Sequence, residues 1–584
     1  MKHRTFLAIS LAGTAAFAAL LLGPQRPPQA DVSELFDPAV LARNMCGIGS
    51  LGTMFIPPAA AADTAPSSRL WPGLGAHGFK IATLSPQAQT FFDQGLRLIY
   101  GFNFGEALAS FRAAQEADPD CAMCYWGEAF ALGPTLNAST MPEANIGPAL
   151  TAVNKADALV HDPARPANPR ERALIVALRE RYSADPKKSR EALNAAYADA
   201  MYRVYQLFDG DVDIATLHAD AALNDRGTGW WSSDGRLPSP RTASALVALE
   251  RALKIDPDHA GAIHYYIHGM DSSTRPERAE PYANKLAALM PGAGHIVHMP
   301  AHIFYRRGRY LDALKANIEA LNVDDGYLAE GNSADDVYRY GLYAHNIHFA
   351  FASAGMAGDG KSAIALADRL DAFLARGVVA RPNFYAGAAL SQRVRFASAD
   401  ELLALPEPEA LYVKGIRLYA RASAQVLKGD VAAARTELNA LNTLRTKTEL
   451  EKLIESHPRS PQMLLLAEEV VRGRIAVAEK KWDEGFKHFA AAATMQEQAR
   501  GFDPPSWDFP VKQALGLALL KAGRTDEAIK VLREALMDAQ NNGVVLYALS
   551  EASKAAKDAA AASQYSILFK KAWVGSEPPD LGRI

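Results

Sequence analysis

The chain has 584 residues, 49% of them hydrophobic and 22% charged, with a formal net charge of −3. Such a length buries a large interior, either as several domains or as one long array. The near-neutral balance excludes a nucleic-acid groove or a polybasic membrane surface, since both need an excess of Lys and Arg. Three cysteines, Cys46, Cys121 and Cys124, exclude a disulfide scaffold and leave room for one bridge in an oxidising compartment.

Lys2, His3 and Arg4 precede an apolar run from Phe6 to Leu22, and Pro24, Pro27 and Pro28 then break any helix. Residues 1–30 read as an export signal with a basic start and an apolar centre. Ala16-Phe17-Ala18 and Gln29-Ala30 are the candidate cleavage sites. The run sits at the short limit for a membrane span, so an uncleaved anchor is the alternative and the only expected contact with a membrane. The mature protein is expected outside the cytoplasm, in the periplasm or beyond it. Residues 31–85 are rich in Ala, Pro and Gly and read as an irregular leader against the first helices.

From Ser85 onward the pattern is helical. A helix, a Gly-Phe-Asn turn at 101–103 and a second helix end in Asp118-Pro119. The same grammar returns at ALVALERALKIDPDH, YRRGRYLDALKANIEAL, LKGDVAAARTEL and LKAGRTDEAIKVLREAL, with Gly in the turn of the last three, where a positive φ is needed. Recurring helix pairs of this kind predict an all-α, right-handed, TPR-like helical solenoid of about eight to twelve pairs. We expect an array with functional residues over 86–400 and further repeats over 401–584, the latter for interaction or stability. Proline-rich residues 135–185, the Trp230-Trp231 loop at 225–240, the acidic stretch 323–337 and residues 501–510 around Trp507 read as irregular insertions.

Cys121-Ala-Met-Cys124 opens a helix after Asp118-Pro119-Asp120. A helix N-terminus favours thiolate, so the pair is a candidate redox or metal-binding motif. The alternative is a static disulfide within one turn. Tyr125 stands where a c-type haem site needs His. Glu128 and Asn137, just beyond, and His218 and Asp220, further on, are candidate groove residues.

Seven of fourteen histidines lie between His264 and His348. His264 and His268 are four apart, His298 and His302 repeat that spacing 34 residues later, His295 precedes them by three, and His345 and His348 form a further pair. Thirty-four residues is the tetratricopeptide period, and residues three or four apart share a helix face. Three successive lining helices should therefore aim imidazoles at one place in the concave surface. This predicts a site for one or two transition-metal ions, copper, zinc or iron, because imidazole ligation suits these metals. Asp271 adds a carboxylate, and Tyr266, Tyr305 and Tyr343 are candidate groove or substrate-facing groups. Pro300, between His298 and His302, is expected to kink their helix. The competing expectation is a non-catalytic scaffold that docks a protein or peptide in the same groove.

The strings GLGAHGFKI, FFDQGLRLIYGFN, DPDCAMCYWGEAFALGP, AIHYYIH, PGAGHIVHMPAHIFYRRGRY and HNIHF resemble a bacterial family of exported tetratricopeptide-repeat proteins over roughly residues 70–350. The resemblance implies the repeat fold and export and carries no activity. Thr135 stands where the family pattern has Asn, so the loop at 133–138 departs from it. His77 falls in the first string and joins the candidate cluster as an outlying member.

Overall fold

A computed structural model describes residues 69–583, apart from 138–139, 163–167, 226, 228, 330–340, 378, 380–381, 500–503, 506 and 508. The export segment, most of the leader and Cys46 lie outside the described residues, as does much of the insertions at 323–337 and 501–510.

The helices follow in chain order: α1 (Pro86–Tyr100), α2 (Phe104–Ala117), α3 (Ala122–Ala131), α4 (Glu143–Val160), α5 (Pro169–Arg179), α6 (Arg190–Leu207), α7 (Val212–Asn224) and α8 (Pro240–Ile255). The histidine-bearing region comprises α9 (Ala260–Asp271), α10 (Glu280–Leu289), α11 (Gly294–His298), α12 (Pro300–Arg306), α13 (Tyr310–Ala329) and α14 (Tyr343–Ala357). The remainder is α15 (Gly360–Leu374), α16 (Pro382–Phe396), α17 (Ala399–Leu403), α18 (Leu411–Leu427), α19 (Val431–Lys447), α20 (Leu450–Ser456), α21 (Ser460–Ala478), α22 (Trp482–Gln498), α23 (Val511–Lys521), α24 (Thr525–Asp538), α25 (Gly543–Ala555) and α26 (Ala559–Ala572). Consecutive helices pack on one another along the chain. No strand occurs among the described residues, and Trp231 and Pro238 form an isolated bridge inside their loop. The protein is an all-α helical solenoid. No helix among the described residues is long and apolar enough to cross a membrane.

Local chemistry explains the boundaries. Ser85 caps α1 with Pro86 in its first turn, Asn103 caps α2 and Asp211 caps α7. Gly308, Gly429 and Gly523 take positive φ in interhelical turns, as the repeat pattern requires. The irregular insertion expected over 135–185 is largely helical instead, as α4 and α5. Its prolines explain the error: Pro142 is the N-cap residue of α4 and Pro169 lies in the first turn of α5, where proline starts helices rather than breaking them. Pro300 likewise begins α12. Met299 keeps helical torsions before it, so the chain runs on from α11 almost without interruption.

One apolar core extends from Leu74 to Ala389 and a second from Leu390 to Leu549, meeting within α16. The segment before α1 is extended and adds Leu74, Phe79 and Ile81 to the first core. The chain also closes on itself. Asn541 Nδ2 donates to the Gly308 carbonyl at 3.4 Å, Trp573 packs on Gly358, and Arg583 Nη1 donates to the Ala397 carbonyl at 2.9 Å.

Candidate metal centre

The central histidines meet inside the array as two adjacent triads. His264 and His268 on α9 and His295 on α11 form the first; His298 on α11, His302 on α12 and His345 on α14 form the second. Within each, one nitrogen per ring lies within 4.8 Å of the others. His264 Nε2 is 3.1 Å from His268 Nε2 and 3.1 Å from His295 Nε2. His298 Nε2 is 3.0 Å from His302 Nε2, and the His345 ring lies 4.8 Å from that of His298. The triads adjoin: the rings of His295 and His298 are 5.8 Å apart, those of His268 and His302 6.3 Å. The start of α12 at Pro300 does not separate His298 from His302.

The other ring nitrogens are held from behind. His264 Nδ1 is 2.6 Å from the Tyr100 carbonyl, which accepts its proton. His302 Nδ1 is 3.3 Å from Asp271 Oδ2, so Asp271 acts behind the ring rather than among the converging donors. Asn317 Nδ2 donates to the Ala313 carbonyl at 2.7 Å, which turns its Oδ1 toward His298 Nδ1, 2.6 Å away. An amide oxygen only accepts, so His298 carries its proton on Nδ1. His298 therefore turns a bare Nε2 toward the Nε2 of His302, 3.0 Å away.

Burial also opposes charge on these rings. Burial, followed by the neighbouring His302, pushes the His298 imidazole well below its ordinary pKa. Burial does the same to His295 and His345, and lowers His264 to about 3. All are neutral near pH 7, the form that ligates metals. The walls are aromatic. Phe102, in the left-handed region at φ 57°, places its ring 4.4, 5.1 and 5.5 Å from those of His264, His295 and His268. Phe349 lies 4.9 Å from His302 and 5.2 Å from His298. A non-glycine residue held at positive φ against a polar cluster is a common mark of functional sites.

Other expected members lie elsewhere. His348 is buried but turned toward Phe351, Phe384 and Tyr385. Three residues along a helix leave a net offset of about 60°, and packing against these rings takes His348 out of the triad. His77 joins a separate bracket. Asp213 Oδ1 receives His77 Nε2 at 2.9 Å, His259 Nε2 at 3.1 Å and the Tyr100 hydroxyl at 2.9 Å. His259 Nδ1 accepts from the Ala262 amide as the cap of α9, so its proton sits on Nε2 and points at Asp213. That oxygen is already met by hydrogen-bond donors. Burial alone would raise Asp213, but the hydrogen bonds from His259 and His77 outweigh it and hold the carboxyl well below its usual range. Burial opposes charge on His77 too, yet Asp213 lifts its pKa.

Glu128 pairs with Arg112 and Gln115, and His218 contacts Ser244 between Tyr202 and Tyr205, its pKa lowered by burial to about 4. Asp220 is hydrogen-bonded to Asn224. Tyr266 donates to Glu250 and Tyr343 to Asp325, while Tyr305 reaches the second triad only through Phe349, 5.5 Å away. None of these lines the triads. Cys121 and Cys124 form a disulfide, buried at the start of α3 with Cys121 as the cap. The bond closes one turn at the head of that helix. The residues missed in the sequence are Phe102, Asn317, Asp213 and His259. Asn317 left a signal, as the polar member of the apolar face Ala313, Ala316, Ala320 and Leu321 of α13.

No known family profile and no curated relative matches the sequence. Solved helical-repeat structures overlap it loosely. The human IFIT1 dimer with m7Gppp-AAAA is 13% identical with a TM-score of 0.31, covering 84% of this chain and 91% of its own. The P58(IPK) TPR domain is 13% identical with a TM-score of 0.22, covering 81% and 99%. The APC/C hetero-tetramer Cut9-Hcn1 is 14% identical with a TM-score of 0.26, covering 83% and 90%. Overlap at this level carries no functional inference, and the solenoid assignment rests on the helix pairing described above.

Proposed function

We propose that this helical-repeat protein binds a transition metal, copper, zinc or iron, through His264, His268, His295, His298, His302 and His345. The observation that carries the reading is the second triad. Asn317 fixes the His298 tautomer so that its buried, bare Nε2 faces the ring nitrogens of His302 and His345, with His302 Nε2 3.0 Å away. A cation held there would draw on all three rings of the triad. Partners on the far ring nitrogen that orient the imidazole and raise its basicity are the usual support of a metal ligand. A bound ion would supply Lewis-acid or redox chemistry to a small ligand.

The rival, a scaffold docking a peptide on these residues, needs them at an accessible surface. His264 and His298 are fully buried and His302 is 7% exposed, which favours the metal reading over docking at this place. We also propose that the protein is exported. The basic and apolar start of the sequence supports this, and so does the Cys121–Cys124 disulfide, a bond typical of oxidising compartments.

Elemental analysis of untagged, purified protein tests the function. Stoichiometric metal is expected in the native chain and a lower metal content in a folded His298→Ala, His302→Ala double variant, which leaves the first triad intact. Metal-free native protein that cannot be loaded with copper, zinc or iron would refute the reading.

A further inference from the structure

We propose that the two triads hold a pair of copper ions, one each, taken up as Cu(I). This rests on the metal reading above and adds the ion, its oxidation state and its stoichiometry.

Each cluster comprises three histidines among the described residues, and the two adjoin through His295 against His298 and His268 against His302. A single ion cannot draw on six rings arranged as two convergent groups, and two ions seated in them lie close enough to influence each other. Charge selects the ion. All six proposed ligands are imidazoles, which bring no charge of their own when they ligate, and a carboxylate contacts the cluster at Asp271, behind His302. Two divalent ions would bring four positive charges into a buried, aromatic-walled space, and buried charge is costly unless paired. Two monovalent ions bring half of that. Among the metals suited to imidazole, copper is the one with a stable monovalent state in protein sites. Three nitrogen donors also complete a coordination shell for Cu(I), whereas zinc prefers four ligands. Phe102 and Phe349, packed on the triads, add an apolar surround that disfavours the more highly charged ion.

The test is an anaerobic titration of the full metal-free chain with tetrakis(acetonitrile)copper(I), in competition with bicinchoninate, with zinc sulfate in parallel. We expect two equivalents of Cu(I) per chain, zinc held at least tenfold more weakly, and one equivalent of Cu(I) in each of His268→Ala and His345→Ala. Circular dichroism confirms that the variants fold. X-ray absorption of the wild-type protein at the copper edge should show three nitrogen neighbours, and this holds independently of the variants. One equivalent in the wild type, zinc preferred over copper, or sulfur or oxygen in the copper shell would overturn the proposal. Binding of one zinc ion that is lost in His298→Ala, His302→Ala would sink this inference while leaving the metal reading intact. Absence of binding by either metal would sink both.

Discussion

At the scale of single residues, metal binding by the triads would depend on groups that do not touch the ion. Asn317 is the clearest case, because its amide fixes which nitrogen of His298 is bare. Replacing it with Leu keeps the volume and removes the acceptor. We predict that Asn317→Leu folds normally and loses about 10- to 100-fold in metal affinity, measurable by chelator competition. An unchanged affinity would show that the tautomer is set some other way.

Asp213 makes a different prediction, on stability. Its carboxyl is held low in the folded protein, so its contribution exists above the ordinary value of 3.8 and fades as pH falls through the folded one. His77 is held above its ordinary 6.5, so its contribution exists below that value and fades as pH rises through the folded one. The bracket therefore stabilises most between about pH 4 and 6.5. Asp213→Asn should cost about 3 kcal/mol there, and the Tm gap to wild type should narrow at pH 8. A gap that widens with rising pH would contradict this sign.

Spacing in the sequence was enough to pick out the six histidines that meet in the triads, since the 34-residue interval and the four-residue pairs both survive as contacts. It could not separate His345 from His348, because three residues sit on neighbouring rather than identical faces and packing decides between them. Nor could it join His77 to Asp213, 136 residues away, a partnership that depends on how the leader lies across α7 and α9.

At the scale of elements, α9 must approach α1 closely enough for the Tyr100 carbonyl to reach His264. Gly261 permits this: a Cβ there would stand 2.6 Å from Tyr100 Cγ. Gly261→Ala should cost about 1–3 kcal/mol through overpacking. It should also weaken binding at the first triad while sparing the second, which a metal titration would resolve. Equal weakening of both would mean that α9 does not act locally. The helix periodicity was legible from Ser85 onward because apolar spacing, capping residues and turn glycines agreed. It failed over 135–185, where prolines look like breakers until the helix start they occupy is known.

At the scale of the whole molecule, the solenoid returns on itself. Residues 540–541 reach the turn after α12, and Trp573 and Val574 pack on the turn after α14. These are the turns that follow His302 and His345. The C-terminal repeats hold no histidine triad among the described residues, yet they brace the helices that do. Trp573→Ala should lower Tm and leave the metal content of the folded protein unchanged. Loss of metal without loss of Tm would assign the tail a direct role in the site. This closure was not legible in the sequence, because contacts between elements more than 200 residues apart leave no local periodicity.

The central claim is that bare imidazole nitrogens converge on ions inside the array. Anomalous scattering from crystals grown with copper tests it most directly. The account predicts a peak within bonding distance of His264, His268 and His295 and another within bonding distance of His298, His302 and His345. Refined rings that hydrogen-bond to one another, with no anomalous density between them, would contradict it.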